Sequence, residues 1–328
     1  MRRFICFAIL IAGAMPLWAQ EQLYGLVAKS TSDQNFVEAW KGCQEAAKAD
    51  GNRCVLLGDE GPASPHIQRF AIEQALASQQ FSALAVSVTN SEFVAQSVAQ
   101  ADIPILTFDS PFTARNQNLQ RGYVGMDNTA FGRDLGILAK WLKPEGGSLC
   151  IFTVEHDPNL AIRVNALRQE LAGESRVSDS QPLAGEGGWN ELERCPTMSQ
   201  ADNDQAMTQL LGTLSTIRPD AIISVGHWPV EIPENFRRVS APYRLHLTSG
   251  DIIIIAGVGQ ITDDYQALIS DRLVHGMVSI DFAEIGRVTY QRMKEAAEGK
   301  AIPATTFTPN RFVPPMVQTD PDTSATLK

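Results

Sequence analysis

The side chains able to hold a small ligand stand at the ends of apolar runs. Asp109 and Ser110 close the run Ile103-Pro-Ile-Leu-Thr-Phe, while Asp33, Asn35 and Phe36 follow the apolar stretch Leu23 to Lys29. Ser87, with Thr89 and Asn90, ends the run from Ala83. Asn159 and Arg163, preceded by His156 and Asp157, come after Ser148 to Val154. His227 and Trp228 follow Ala221 to Val225, and Gln260 follows the isoleucine-rich run Asp251 to Ala256. Such a mixture of carboxylates, amides, hydroxyls, a guanidinium and an indole suits a neutral polyhydroxylated ligand, whose hydroxyls both donate and accept and whose C–H faces stack on rings. Each residue also has a plainer reading. Asp109 can cap the next turn, Arg163 can be a surface charge, Phe36 and Trp228 can be core, and amides at loop starts often bond only their own backbone.

Catalytic patterns are missing. The chain has no H-E-x-x-H, no G-x-S-x-G and no G-x-x-x-x-G-K, and Gly257 and Gly259 form a bare G-x-G with Thr262 where a dinucleotide fingerprint needs its third glycine. No enzyme activity and no cofactor is expected.

Short β-branched runs alternate with helical patterns, as in βαβ units on parallel sheets. Strands are predicted at Leu23–Lys29, Arg53–Leu57, Ala83–Val88, Ile103–Phe108, Ser148–Val154, Ala221–Val225, Asp251–Ala256 and Val274–Ile280, and helices over Asn159–Leu171 and Ala206–Ile217. Between the first two strands, Phe36, Trp40, Cys43 and Ala47 make one apolar helical stripe. So many strands exceed one compact sheet, which predicts an α/β protein of two doubly wound parallel-sheet lobes. In an open parallel sheet ligands bind beyond the carboxyl ends of the strands, where the polar residues named above stand.

The chain of 328 residues carries a formal charge of −10 at a pI near 5.0, which gives no electrostatic reason to bind nucleic acid. Arg2 and Arg3, an apolar run from Phe4 to Met15, Pro16 and Ala19 follow the order of a secretory signal, with cleavage expected after Ala19. Its removal leaves 25 of the 27 basic residues against 37 acidic ones, a charge of −12, and four of the five cysteines. In an exported protein Cys43, Cys54, Cys150 and Cys195 can pair in three ways. The pairing Cys43 with Cys54 and Cys150 with Cys195 is favoured because the first would tie a helix end to the next strand; buried thiols are the alternative. No C-x-x-C or clustered His points to a metal.

Five stretches carry a family resemblance. Ser32-Asp33-Gln34-Asn35-Phe36 stands where an Asn-Pro-Phe-Phe turn is usual, and Ile103-Pro-Ile-Leu-Thr-Phe-Asp109 has the form in which the closing Asp bonds sugar hydroxyls. Tyr123-Val-Gly-Met-Asp-Asn128 with Gly132-Arg133 looks like a crossover between lobes, and Pro158-Asn159-Leu-Ala-Ile-Arg163 and Gly226-His-Trp-Pro229 look like ligand-facing walls. In order and spacing these resemble the type I periplasmic substrate-binding proteins of the ribose- and galactose-binding kind. The resemblance implies two lobes joined by three crossovers, a monomer without cofactor, a sugar-like ligand, and an ABC permease or a periplasmic sensor domain as partner. It departs from the family pattern at Gln260, where Asp is common, and at Asp281, where a Gln is usual. The expected divisions are a leader at 1–19, a first lobe from 20–125 with 251–280, a second from 126–250 with 281–314, and a polar tail at 315–328.

Overall fold

The computed structural model describes residues 21–313 apart from 62, 155–156, 174–180 and 200–202. The expected leader, the polar tail and His156 lie outside the described residues.

The first lobe begins with β1 (Leu23–Val27), α1 (Gln34–Ala49), β2 (Arg53–Leu57), α2 (Pro65–Ala77), β3 (Phe81–Val86), α3 (Ser91–Val98), β4 (Ile105–Phe108) and β5 (Tyr123–Met126). The chain then crosses into α4 (Asn128–Leu142), β6 (Gly147–Val154), α5 (Pro158–Ala172), β7 (Trp189–Glu191), β8 (Thr197–Ser199), α6 (Asn203–Gly212) and β9 (Ala221–Ser224). It continues through α7 (Pro233–Ser240), α8 (Arg244–Thr248), β10 (Ile253–Val258), α9 (Asp263–Ser270) and β11 (Gly276–Ile280), and ends with α10 (Phe282–Ala297), β12 (Thr305–Thr308) and β13 (Asn310–Val313).

Two sheets result, ordered β12-β5-β4-β3-β1-β2 and β13-β11-β10-β9-β6-β7, with β8 also on β6. Every pairing is parallel except β11 with β13. The expected two-lobed, doubly wound architecture is present, with the chain crossing between lobes at Asp127, Asp281 and Pro309. The expected partition of the lobes needs correction. Ile253–Val258 joins the second sheet through register with Ala221–Ser224 and Gly276–Ile280 joins it beside Ile253–Val258, while Phe282–Ala297 and Thr305–Thr308 return to the first lobe. Strands buried on both faces read as uniform apolar runs, so their pattern does not encode which sheet receives them.

Helix starts beside the sheet ends are fixed by side-chain caps. Asp33, Asp127, Asp157 and Asp281 each accept a backbone N–H from the first turn of the helix that follows. Each lobe then packs a helix pair through glycine. A Cβ on Gly42 would strike the Ala283 carbonyl, one on Gly286 the Ala39 carbonyl, and one on Gly132 the Arg163 carbonyl. Tyr290 of α10 meets Tyr24 edge-on at 5.2 Å, and its hydroxyl bonds Asp50 and Asn52 at 2.9 Å each.

Two disulfides form, Cys43–Cys54 and Cys150–Cys195, with Cα separations of 5.9 and 5.2 Å. The first ties α1 to β2 and the second ties β6 to the segment ahead of β8. In the chain-entropy model loops of these lengths are worth about 3 to 4 kcal/mol each.

A buried histidine gives the second lobe a pH dependence. His275, 8% exposed, accepts the Ile254 N–H at Nδ1 (3.0 Å), which leaves Nε2 to donate to the Leu247 carbonyl (2.9 Å). Burial, with Lys143 and Arg272 nearby, holds its pKa below the ordinary histidine value. The unfolded chain therefore binds a proton that the folded one refuses. The stability is present above about pH 6.5 and is lost as pH falls through the folded-state pKa, with a slope approaching about 1.4 kcal/mol per pH unit. Urea midpoints at pH 7.5 and 5.5 are expected to show this loss. His275→Gln, which can keep both bonds without titrating, is expected to flatten it; an unchanged slope would refute the assignment.

Candidate functional site

The carboxyl ends of the two sheets face each other across a cleft with two connected chambers of about 610 and 850 Å³. Asp33 and Asn35 from the first lobe and His227 and Trp228 from the second border both chambers. The lobes approach closely where the Asn35 side chain lies over Gly259, a place with no room for a Cβ. They also touch where Asn159 Nδ2 donates to Ser110 Oγ at 3.2 Å.

Asp109, on the inner chamber, is the most tightly specified residue of the cleft. It has φ of +59° and forms the centre of a three-residue turn closed by the Ser110 N–H on the Phe108 carbonyl at 2.6 Å. Such a backbone is strained for a residue with a Cβ and persists only where its surroundings over-determine it. They do: its N–H bonds the Val124 carbonyl, its carbonyl accepts from Tyr123 Oη at 2.9 Å, and Oδ2 accepts from Ser87 Oγ (2.8 Å) and Ser110 Oγ (3.2 Å). Lys29 Nζ stands 3.4 Å from the same oxygen and 2.6 Å from Ser110 Oγ. The contacts gather on Oδ2, and no hydrogen bond to Oδ1 occurs among the described residues.

Opposite it, Arg163 is held flat in the second lobe. Its nitrogens donate to Asn128 Oδ1 (2.7 Å), the Val225 carbonyl (2.8 Å) and Met126 Sδ (3.2 Å), and the guanidinium lies 4.4 Å from the Phe131 ring centre. Burial pulls its pKa down, while Asp109 and Asp157 oppose that shift. Burial also raises the pKa of Asp33, and Asp109 adds to the rise. The pKa of His227 is pushed down by burial, with Glu231 opposing and Arg163 adding to the shift. A cleft of fixed donors and acceptors between two lobes, with aromatic walls, is suited to binding.

Residues 24–301 match the family described as periplasmic binding protein domain. The chain belongs to that family. Its fold is the type I periplasmic binding protein fold, and the family binds solutes without turning them over. No curated protein sequence matches this one. Among solved structures, an ABC transporter solute-binding protein from Agrobacterium vitis bound with α-D-tagatopyranose superposes with a TM-score of 0.74 at 17% identity, covering 92% of this chain and 97% of that one. A glucose-galactose binding protein from Geobacillus stearothermophilus gives 0.74 at 15% identity, covering 92% and 99%. A carbohydrate transporter solute-binding protein from Agrobacterium radiobacter in complex with D-arabinose gives 0.73 at 16%, covering 93% and 98%.

In this periplasmic binding protein the sequence-derived candidates fall into distinct groups. Asp33, Asn35, Phe36, Asp109, Arg163, His227 and Trp228 border the inner chamber, and Gln260 borders the outer one. Phe36 is also core, edge-on to Phe108 and Phe282. Ser87, Ser110 and Asn159 do not border either chamber: the first two brace Asp109, and Asn159 links the lobes. Asp281 lies away from both, capping α10 and paired with Arg311 at 2.7 Å. Lys29, Glu231 and Tyr265 border the cleft of this binding protein without having been read from the sequence. Lys29 was accessible to the same strand-end rule. Glu231 and Tyr265 stand a few residues farther on, where that rule has no reach.

Proposed function

We propose that this protein is exported, with its leader removed after Ala19, and that it captures a sugar or polyol in the interlobe cleft and delivers it to an ABC importer. The observation that carries the reading is Asp109. A strained, fully braced carboxylate on a chamber of about 610 Å³ presents its less occupied oxygen to a ligand hydroxyl. The sugar complexes of similarly folded ABC transporter proteins support the same ligand class.

Asp33, Asn35 and Asp109 would bind from one lobe, and Arg163, His227, Trp228 and Gln260 from the other. Ser87, Ser110 and Asn159 would hold these groups in place. Ligand contacts to both lobes are complete only when the lobes close, so binding shifts the open–closed equilibrium, and an importer reads the closed form. A thermal-shift screen of monosaccharides, polyols and small amines tests this. A ligand at about a hundred times its Kd is expected to add about 2.7 kcal/mol to the native state. If no sugar or polyol raises the melting temperature, the reading fails.

A further inference from the structure

The outer chamber differs from the inner one in charge. Asp33, Glu38, Glu60, Glu231 and Asp264 border it, and no lysine or arginine does. Of these carboxylates only Glu38 is paired with a basic side chain among the described residues, Lys41 at 2.7 Å. Glu231 lies 3.9 Å from His227 Nε2, and burial pulls the pKa of that ring below the ordinary histidine value while Glu231 opposes the shift. The carboxylates ring the chamber without converging, and no cluster of His, Cys, Asp or Glu suited to a metal ion occurs among the described residues.

Tyr265 gives an independent sign of a ligand. It is 9% exposed and borders the same chamber, and its hydroxyl has no hydrogen-bond partner among the described residues. The ring is held by the second-lobe core while the hydroxyl opens on the chamber, placed to bond a group that enters it. Burial, and then the charge of Glu231, push this hydroxyl up to about 12, so it stays neutral and can both donate and accept. Trp228, 8% exposed, adds an aromatic wall of the kind that attracts cations.

We propose that the ligand carries a protonated amine on a hydroxylated frame, as an amino sugar or amino polyol does, with its hydroxyls at Asp109 and its ammonium in the acidic outer chamber beside Glu231 and Tyr265. This rests on the binding reading above and narrows it. A cleft lined by one sign of charge concentrates the opposite ion, and an ammonium there meets carboxylates of which only Glu38 already has a lysine or arginine partner among the described residues.

Calorimetry with D-glucosamine and D-galactosamine, their parent sugars and their N-acetyl derivatives tests the proposal. The better amino sugar is expected to bind at least about tenfold tighter than its parent, a difference of about 1.4 kcal/mol. N-acetylation, which removes the charge, is expected to abolish that advantage, and raised salt to reduce it. Glu231→Gln, at a half-exposed position that folding tolerates, is expected to bring the ratio of amine to parent affinity towards one. Parent sugars that bind as well as the amines, or a ratio unchanged in Glu231→Gln, would overturn the amine assignment while leaving the cleft reading intact. Failure of both classes to bind would overturn both.

Discussion

Asp109→Asn is expected to weaken binding of the sugar or polyol selected by the screen by about a hundredfold or more. Asparagine tolerates the left-handed backbone at this position, so the change isolates the charge; alanine would add backbone strain. The amide replaces one acceptor oxygen by a donor. If NH₂ takes the Oδ2 position, it faces Lys29 Nζ and the hydroxyls of Ser87 and Ser110; if it takes the other, it meets the ligand as a donor. Either way the charge of the acceptor is lost from its hydrogen bonds to the ligand, and at about 1.5–3 kcal/mol each two such bonds amount to a factor of a hundred or more. Calorimetry on a variant whose melting curve stays cooperative gives the answer. Affinity within a factor of three of the parent would remove Asp109 from the site.

The second large effect concerns stability. Gly286→Ala is expected to cost about 2–3 kcal/mol, although alanine is normally the better helix former by about 1 kcal/mol. The added methyl would have to occupy the space of the Ala39 carbonyl, so α10 must move off α1. Gly212 provides the contrast. It has helical backbone angles of −61° and −40°, and nothing lies within 4 Å of a Cβ built there. Gly212→Ala is therefore expected to be neutral or stabilising by up to about 1 kcal/mol. Urea unfolding of the two variants compares the same chemical change in two surroundings, and equal midpoints would refute the packing account.

The strands were legible because β-branched runs between turn residues leave a local signal, and Asp109 was legible because it ends one of them. The roles of its neighbours were not. Ser87 and Ser110 occupy strand ends like Asp109, yet their hydroxyls turn to its carboxylate, a direction fixed by β3 and β4 lying side by side. Lys29 at a strand end resembles a solvated charge until the fold brings it to Ser110. The role of Arg163 rested on family likeness, since helix periodicity cannot reveal that its partners are Asn128, Val225 and Met126, all distant in sequence. Asp281 shows the converse: a strand-end carboxylate can be fully occupied as a helix cap and ion-pair partner.

The return of α10 to the first lobe has a consequence for the order of assembly. The second sheet takes all but its final strand from one continuous stretch, whereas the first lobe needs a helix and an edge strand made after that stretch. Asp50 and Lys294, which pair across α1 and α10, are 244 positions apart. Joining such distant segments carries a loop-closure cost that a folded second lobe shortens by holding its two ends near the crossovers. As the chain emerges N-terminus first, the Ala39 and Gly42 face of α1 stays uncovered until α10 is made, so the half synthesised first cannot be completed until the second is nearly finished.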